Sequence, residues 1–233
     1  LSRYIGIDGC PAGWFAAWRA NDGSVDGQIY PTLAALFKEH TDSQRVLIDI
    51  PIGLMQDQER LLESEVRQRL GARRSSVFPV SCYAATYATD YPSADQLNRE
   101  RTGKGLSKQA WYLTPKIREV NDYLIDHLEA RTVLGESHPE LAFAHFNGSP
   151  MQHAKKREEG ASERLAVLSK LLPNPHLFLE AQLQRYKRKE MVLDDCLDAL
   201  VLLATASRAV RLNVAEPQMG YADIEVSMWV PEV

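Results

Sequence analysis

The sequence predicts an α/β domain built on a mixed sheet, a three-stranded antiparallel meander followed by parallel strands, flanked by helices and interrupted by a largely helical insertion. Three observations predict it. Residues 4–8 form a short β-rich run that stops at the turn-forming cluster Gly9-Cys10-Pro11-Ala12-Gly13, and residues 14–18 and 28–30 supply two more strands. Residues 32–40 carry apolar side chains at 33, 36 and 37, a helical spacing, and the continuous apolar run Val46-Leu47-Ile48-Asp49-Ile50 that follows reads as a fully buried strand. From Gln58 to about Glu129 the chain turns polar and helical, with Leu61, Leu62, Val66 and Leu70 on one face and only a short strand-like piece near Val77-Phe78.

The later elements follow the same rules. Residues 133–138 resume a strand pattern until Pro139 breaks it. Residues 158–172 and 175–186 read as helices. The clearest helix spans about 191–211, where Leu197, Leu200, Val201 and Ala204 recur at intervals of three and four. Residues 224–229 alternate apolar and polar side chains, which suits an edge strand or a peptide laid along the core. No repeat or low-complexity tract appears, so the expectation is one domain over residues 1–233 with a basic helical insertion at about 55–130.

Composition narrows the function classes. The 233 residues are 45% hydrophobic and 25% charged, which is the globular range. No apolar run approaches the roughly 18 residues of a membrane span. Cys10, Cys82 and Cys196 are odd in number and unpaired in spacing, which fits buried thiols in a reducing compartment, and no leader pattern is visible; a cytoplasmic protein is expected. A net charge of −4 argues at first against a polyanion partner. Residues 66–118, however, hold ten Lys or Arg against three acids, a net +7 that leaves −11 on the remainder. The total conceals a basic insertion attached to an acidic core.

Several acids sit where structure alone explains them poorly. Asp8 ends the first buried strand, Asp49 interrupts an apolar run, Glu136 lies in a later strand, and Asp195 and Asp198 are spaced to share one helix face. Asp8 before Gly9 also suits a turn, and Asp194 and Asp195 also suit a helix start. A convergent set of oxygen ligands without a Cys/His set suits Mg²⁺ or Mn²⁺ rather than zinc. Two such ions support in-line hydrolysis of a phosphodiester.

The motifs Ile5-Gly6-Ile7-Asp8-Gly9-Cys10 with Gly13-Trp14, Ile48-Asp49-Ile50-Pro51-Ile52-Gly53-Leu54, Gly71-Ala72-Arg73-Arg74-Ser75-Ser76-Val77-Phe78-Pro79, Pro115-Lys116-Ile117, Glu136-Ser137-His138-Pro139-Glu140 and Asp194-Asp195-Cys196-Leu197-Asp198-Ala199 resemble, in order, those of the domain-of-unknown-function family numbered 429. The resemblance spans nearly the whole chain. It implies a ribonuclease H-like fold and a predicted nuclease, with metal held by an Asp in the first strand, an acid at the end of the fourth strand and an Asp-x-x-Asp on the last helix. Asp8, Asp49, Asp195 and Asp198 fall on those positions, and the last pair is similar to the helix motif of Holliday-junction resolvases. Glu136 is the further candidate for the metal shell, with Glu140 competing for the place.

Nucleic acid is the partner this implies, with contacts expected in the insertion. Arg73, Arg74, Ser75 and Ser76, and the segment Gly103 to Lys108 with Lys104, combine cations, hydroxyls and flexible backbone, the components of a phosphate contact. Lys116 follows Pro115 at what reads as a helix start, where the dipole disfavours a cation unless an anion is bound. Trp111 and Tyr112 suit the core better than base stacking. Lys155-Lys156-Arg157 reads as an exposed patch with a phosphate role in reserve. His138 is the candidate proton relay. The alternatives are a non-catalytic binding module and an actin-like phosphotransferase, the latter opposed by the chain length and by the absence of a Gly-Gly pair for an adenosine pocket.

Overall fold

The structure, a computed structural model, describes residues 4–232; residues 1–3 of the strand-like start lie outside them. Strands β1 (Tyr4–Cys10), β2 (Gly13–Arg19) and β3 (Val25–Tyr30) form the antiparallel meander. Helix α1 (Leu33–Glu39) is capped by Thr32, whose Oγ1 accepts from Ala35 N–H at 3.1 Å, and leads into β4 (Arg45–Ile48). β4 lies parallel to β1, and β5 (Leu134–Glu136) parallel to β4, so the sheet runs β3-β2-β1-β4-β5.

Between β4 and β5 the chain forms α2 (Leu62–Leu70), a 3₁₀ segment (Gly71–Ser76), α3 (Tyr83–Thr86), α4 (Tyr91–Thr102) and α5 (Lys108–Asp126). The strand expected near Val77-Phe78 is absent from the described residues; that stretch is irregular. Pro115 does not start a helix but sits inside α5. A proline there cannot bond the carbonyl four residues back. Thr114 Oγ1 instead donates to that Trp111 carbonyl at 2.8 Å, so the helix continues and carries Lys116 in its middle.

Beyond β5 come α6 (Pro139–Asn147), α7 (Glu158–Leu168), α8 (Pro175–Arg185) and α9 (Leu193–Ala206). α9 is shorter than its periodicity suggests, because residues 209–211 leave the helix as β6 (Ala209–Arg211) and pair with β9 (Trp229–Pro231). A further ribbon joins β7 (Gln218–Met219) to β8 (Glu225–Val226), and Met228 makes a single parallel bridge to Glu136. The segment read as an edge strand is thus divided between these contacts.

The sheet separates two apolar layers. Ile5, Ile7 and Ile48 face a layer shared with α1 and α5, while Phe15, Ala17 and Leu47 face one built around α9. From Asp195 to Ala206 every residue of α9 is buried, as expected of a helix covered on all sides. Gly6 makes this possible. A Cβ there would lie 2.1 Å from Ala199 O and 2.2 Å from Leu203 N, so α9 meets β1 backbone to backbone. Among the described residues no helix is long and apolar enough to cross a membrane.

Candidate functional site

The site forms at the C-terminal ends of β1 and β4. Side chains alternate between faces along a strand, so Asp8 points to the same side as Gly6, toward α9. Asp49 is the first residue past β4, and its N–H still bonds Ile7 O at 3.2 Å, which keeps it beside Asp8. With Ala199 and Leu203 over Gly6, the first turns of α9 lie over Asp8 and bring in Asp198 and Asp195. Asp195 also accepts Val192 N–H at 2.8 Å, so it closes the helix start as well as facing the cluster.

The electrostatics record this crowding. Burial, then the carboxylates of Asp198 and Asp49, push the Asp8 carboxyl well above the usual range. Burial raises Asp49 to about 6, with His138 and Lys155 countering and Asp198 reinforcing. Burial raises Asp195 to about 6, against the Val192 hydrogen bond. The nearest cation is Lys155, whose Nζ is 2.6 Å from Asp198 Oδ2 and whose ammonium is held protonated, against the cost of burial, by Asp198, Asp8 and Asp49.

Lys155 arrives on a tightly tied loop. Glu163 accepts the N–H groups of Gln152 and His153, Arg164 Nη1 donates to His153 O, and Gly160 lets Ala154 O approach so closely that a Cβ would lie at 2.1 Å. The Lys155-Lys156-Arg157 run is therefore no simple surface patch. The sequence marks its charge but not that one member reaches the acids.

Glu136 does not join them. It is paired in register with Ile48, on the face opposite Asp8, and its Oε2 accepts Ile52 N–H and Arg60 Nη2, each at 2.7 Å. Arg60 Nε also stands 3.4 Å from Glu63 Oε1, making a buried Glu–Arg–Glu group. Burial and Glu63 push Glu136 up to about 7 in spite of Arg60. Glu140, the competing candidate, is ion-paired with buried Arg164 at 2.6 Å. Neither Arg60 nor Arg164 announces itself in the sequence, since a charged residue gives no sign that it will be buried.

A cavity of about 220 Å³ opens beside the strand ends, with Asp8, Asp49, Glu136, His138, Lys116 and Ser76 among its lining residues. Lys116 lies with its stem over Gly9 and its ammonium 4.1 Å from the Trp14 ring centroid, donating to Gly13 O at 2.5 Å. His138 Nδ1 accepts Leu141 N–H at 3.4 Å, and Nε2 faces Ser76 O at the same distance.

The family model described as Protein of unknown function (DUF429) matches residues 6–218. The chain belongs to that family. No curated protein and no solved structure matches this DUF429 chain. Of the residues its sequence singles out for phosphate, Ser76 and Lys116 reach the cavity. Arg73 bonds Met151 O and lies 3.7 Å from Glu140, Arg74 and Ser75 are exposed, and Lys104 pairs with Glu59 at the surface, outside the cavity. Trp111 packs against a small helical core as expected, whereas Tyr112 is exposed, contrary to its expected burial.

The fit of this DUF429 site to a divalent cation rests on its donors. Asp8, Asp49, Asp195 and Asp198 are hard oxygen ligands of the kind Mg²⁺ or Mn²⁺ takes. Among the described residues no three His, Cys, Asp or Glu side chains are gathered as a ready metal-holding group. The acids stand instead about the Lys155 ammonium, which supplies the positive charge that they require.

A pH dependence follows. Asp8, Asp49, Asp195 and Glu136 all bind a proton more readily folded than unfolded, so their contribution is favourable below the ordinary carboxylate range; for Asp49, Asp195 and Glu136 it is lost as pH rises through about 6 to 7. In chelator the melting temperature should fall between pH 5 and pH 7.5. A flat or rising profile would contradict the crowded, buried carboxyls.

Proposed function

We propose that this protein is a divalent-metal-dependent nuclease of the ribonuclease H-like kind, hydrolysing phosphodiester bonds in nucleic acid. The observation that carries the reading is that Asp8 and Asp49 stand at the ends of neighbouring parallel strands and that α9, which bears Asp195 and Asp198, packs directly over the first of them. These acids come from the first strand, the end of the fourth strand and the last long helix, the arrangement that the family resemblance implies.

Bound Mg²⁺ or Mn²⁺ would supply an activated water and stabilise charge on the leaving oxygen. Asp8, Asp49, Asp195 and Asp198 would be the residues that hold it. Glu136 is left to Arg60. His138, beside Asp49 and lining the same cavity, is placed to move a proton. Lys116 offers a half-buried cation to a phosphate on the opposite side of Asp8. The basic insertion extends the attraction for a polyanion.

The test uses single-stranded, duplex, hybrid and branched nucleic acids with Mn²⁺ or Mg²⁺. Cleavage should require metal and disappear in Asp8→Asn. Absence of metal-dependent, Asp8-sensitive cleavage on every substrate would defeat the nuclease reading. The Lys155 pairing favours a second reading, a binding module whose own ammonium replaces the metal. Lys155→Met separates the two. If a metal belongs here, removing its competitor should strengthen Mn²⁺ binding about tenfold in a melting titration. If Lys155 is the permanent cation, the variant is simply less stable and Mn²⁺ leaves its melting temperature unchanged.

A further inference from the structure

The cavity beside the acids has walls that phosphodiester hydrolysis alone does not require. Val66, Val77, Phe78, Leu113, Ile117 and Met228 make it largely apolar. At about 220 Å³ it is smaller than the roughly 300–1,000 Å³ of sites for drug-sized ligands, which suits one ring system and not a base pair. A buried polar group interrupts the apolar lining. The Glu136 side chain is 5% exposed, its Oε2 is taken by Ile52 and Arg60, its Oε1 makes no hydrogen bond among the described residues, and the residue lines both this cavity and a second one near Trp229. Arg60, itself buried, fixes this carboxyl in place.

Asp8 and Asp49 line the same space. A ligand ring seated there is therefore next to the carboxylates proposed to act on phosphate.

Resting on the nuclease reading, we propose that the cavity holds one unpaired base of the substrate, with Glu136 Oε1 accepting a hydrogen bond from an amino group on its edge. A base in a duplex is stacked and paired and does not fit such a cavity, so the favoured substrate is single-stranded or has an extruded nucleotide. A carboxylate acceptor selects the exocyclic amine of cytosine over the carbonyl that uracil carries at the same position. The apolar walls supply contact area for either ring, and Glu136 supplies the difference between them.

The probes are cytidine 5′-monophosphate, uridine 5′-monophosphate and ribose 5-phosphate, followed by titration calorimetry at pH 8. The cytidine nucleotide should bind about tenfold more tightly than the uridine nucleotide, and ribose 5-phosphate far more weakly than both. Glu136→Gln should reduce the cytidine preference. Leu113→Trp, which fills the cavity, should abolish nucleotide binding while its far-ultraviolet spectrum and its melting response to Mn²⁺ match the wild type. Equal binding of ribose 5-phosphate and the nucleotides, normal nucleotide binding by Leu113→Trp, or no nucleotide binding by a wild type that responds to Mn²⁺ would each overturn the base pocket. Nucleotide binding with these dependences, in a protein that neither responds to metal nor cleaves, would sustain the pocket and remove the nuclease reading.

Discussion

Arg60→Ala should cost about 3–5 kcal/mol of stability at neutral pH, because it leaves Glu136 and Glu63 buried without their shared counter-ion. Both carboxyls are already pushed upward by burial, so the vacated site favours their protonated forms. The deficit should therefore shrink at pH 5 relative to pH 7.5, as measured by urea unfolding. The triple replacement Arg60→Met, Glu63→Gln and Glu136→Gln should recover most of the loss, since no uncompensated charge remains. A loss under about 1 kcal/mol for Arg60→Ala, the range of exposed pairs, would mean that the group is hydrated and not buried.

The second large effect belongs to Gly6. Gly6→Ala puts a methyl group against the backbone of Ala199 and Leu203, atoms that no rotamer change can move. Overpacking ordinarily costs about 1–3 kcal/mol, and here the relief must come from shifting a whole buried helix, so a loss of about 3 kcal/mol or more is expected. Moving α9 also carries Asp195 and Asp198 away from Asp8, so any melting response to Mn²⁺ should weaken with it. Gly9→Ala is the control. The nearest atoms to its methyl belong to the Lys116 side chain, which can shift, and thermal unfolding should change little. Comparable losses at the two glycines would contradict the backbone contact between β1 and α9.

The fold was more legible in the sequence than the site. The meander, the buried β4 and the helical insertion followed from periodicity and turn residues, because each is fixed by local pattern. Pro115 misled because proline's preference for the first turn of a helix takes no account of a neighbouring Thr114 hydroxyl that serves the orphaned carbonyl in mid-helix. Asp8, Asp49, Asp195 and Asp198 stood out as acids in apolar surroundings. Glu136 stood out for the same reason yet faces the other way, since a composition rule marks a buried acid without its side of the sheet. That parity becomes readable only from the register with Ile48. Arg60 and Arg164 were the least legible, because burial of a cation depends on a distant carboxylate and leaves no local trace, and nothing in the sequence near Lys155 marks its reach to Asp198.

The position of α9 late in the chain has a consequence for synthesis. Residues 8 and 49 leave the ribosome long before residues 195 and 198, and the central sheet has β1 between β2 and β4 with one face awaiting α9. Contacts of such sequence separation form slowly, since a long loop must close before they contribute. Until then Gly6 presents a bare strip of strand backbone, and Asp8 and Asp49 lack the α9 carboxylates beside them. A nascent chain stopped short of residue 193 therefore carries every motif of the first 192 residues and no assembled site. The same late docking that completes the acid cluster covers the apolar face most exposed to aggregation, so completion of the charge cluster and protection of the chain are a single event.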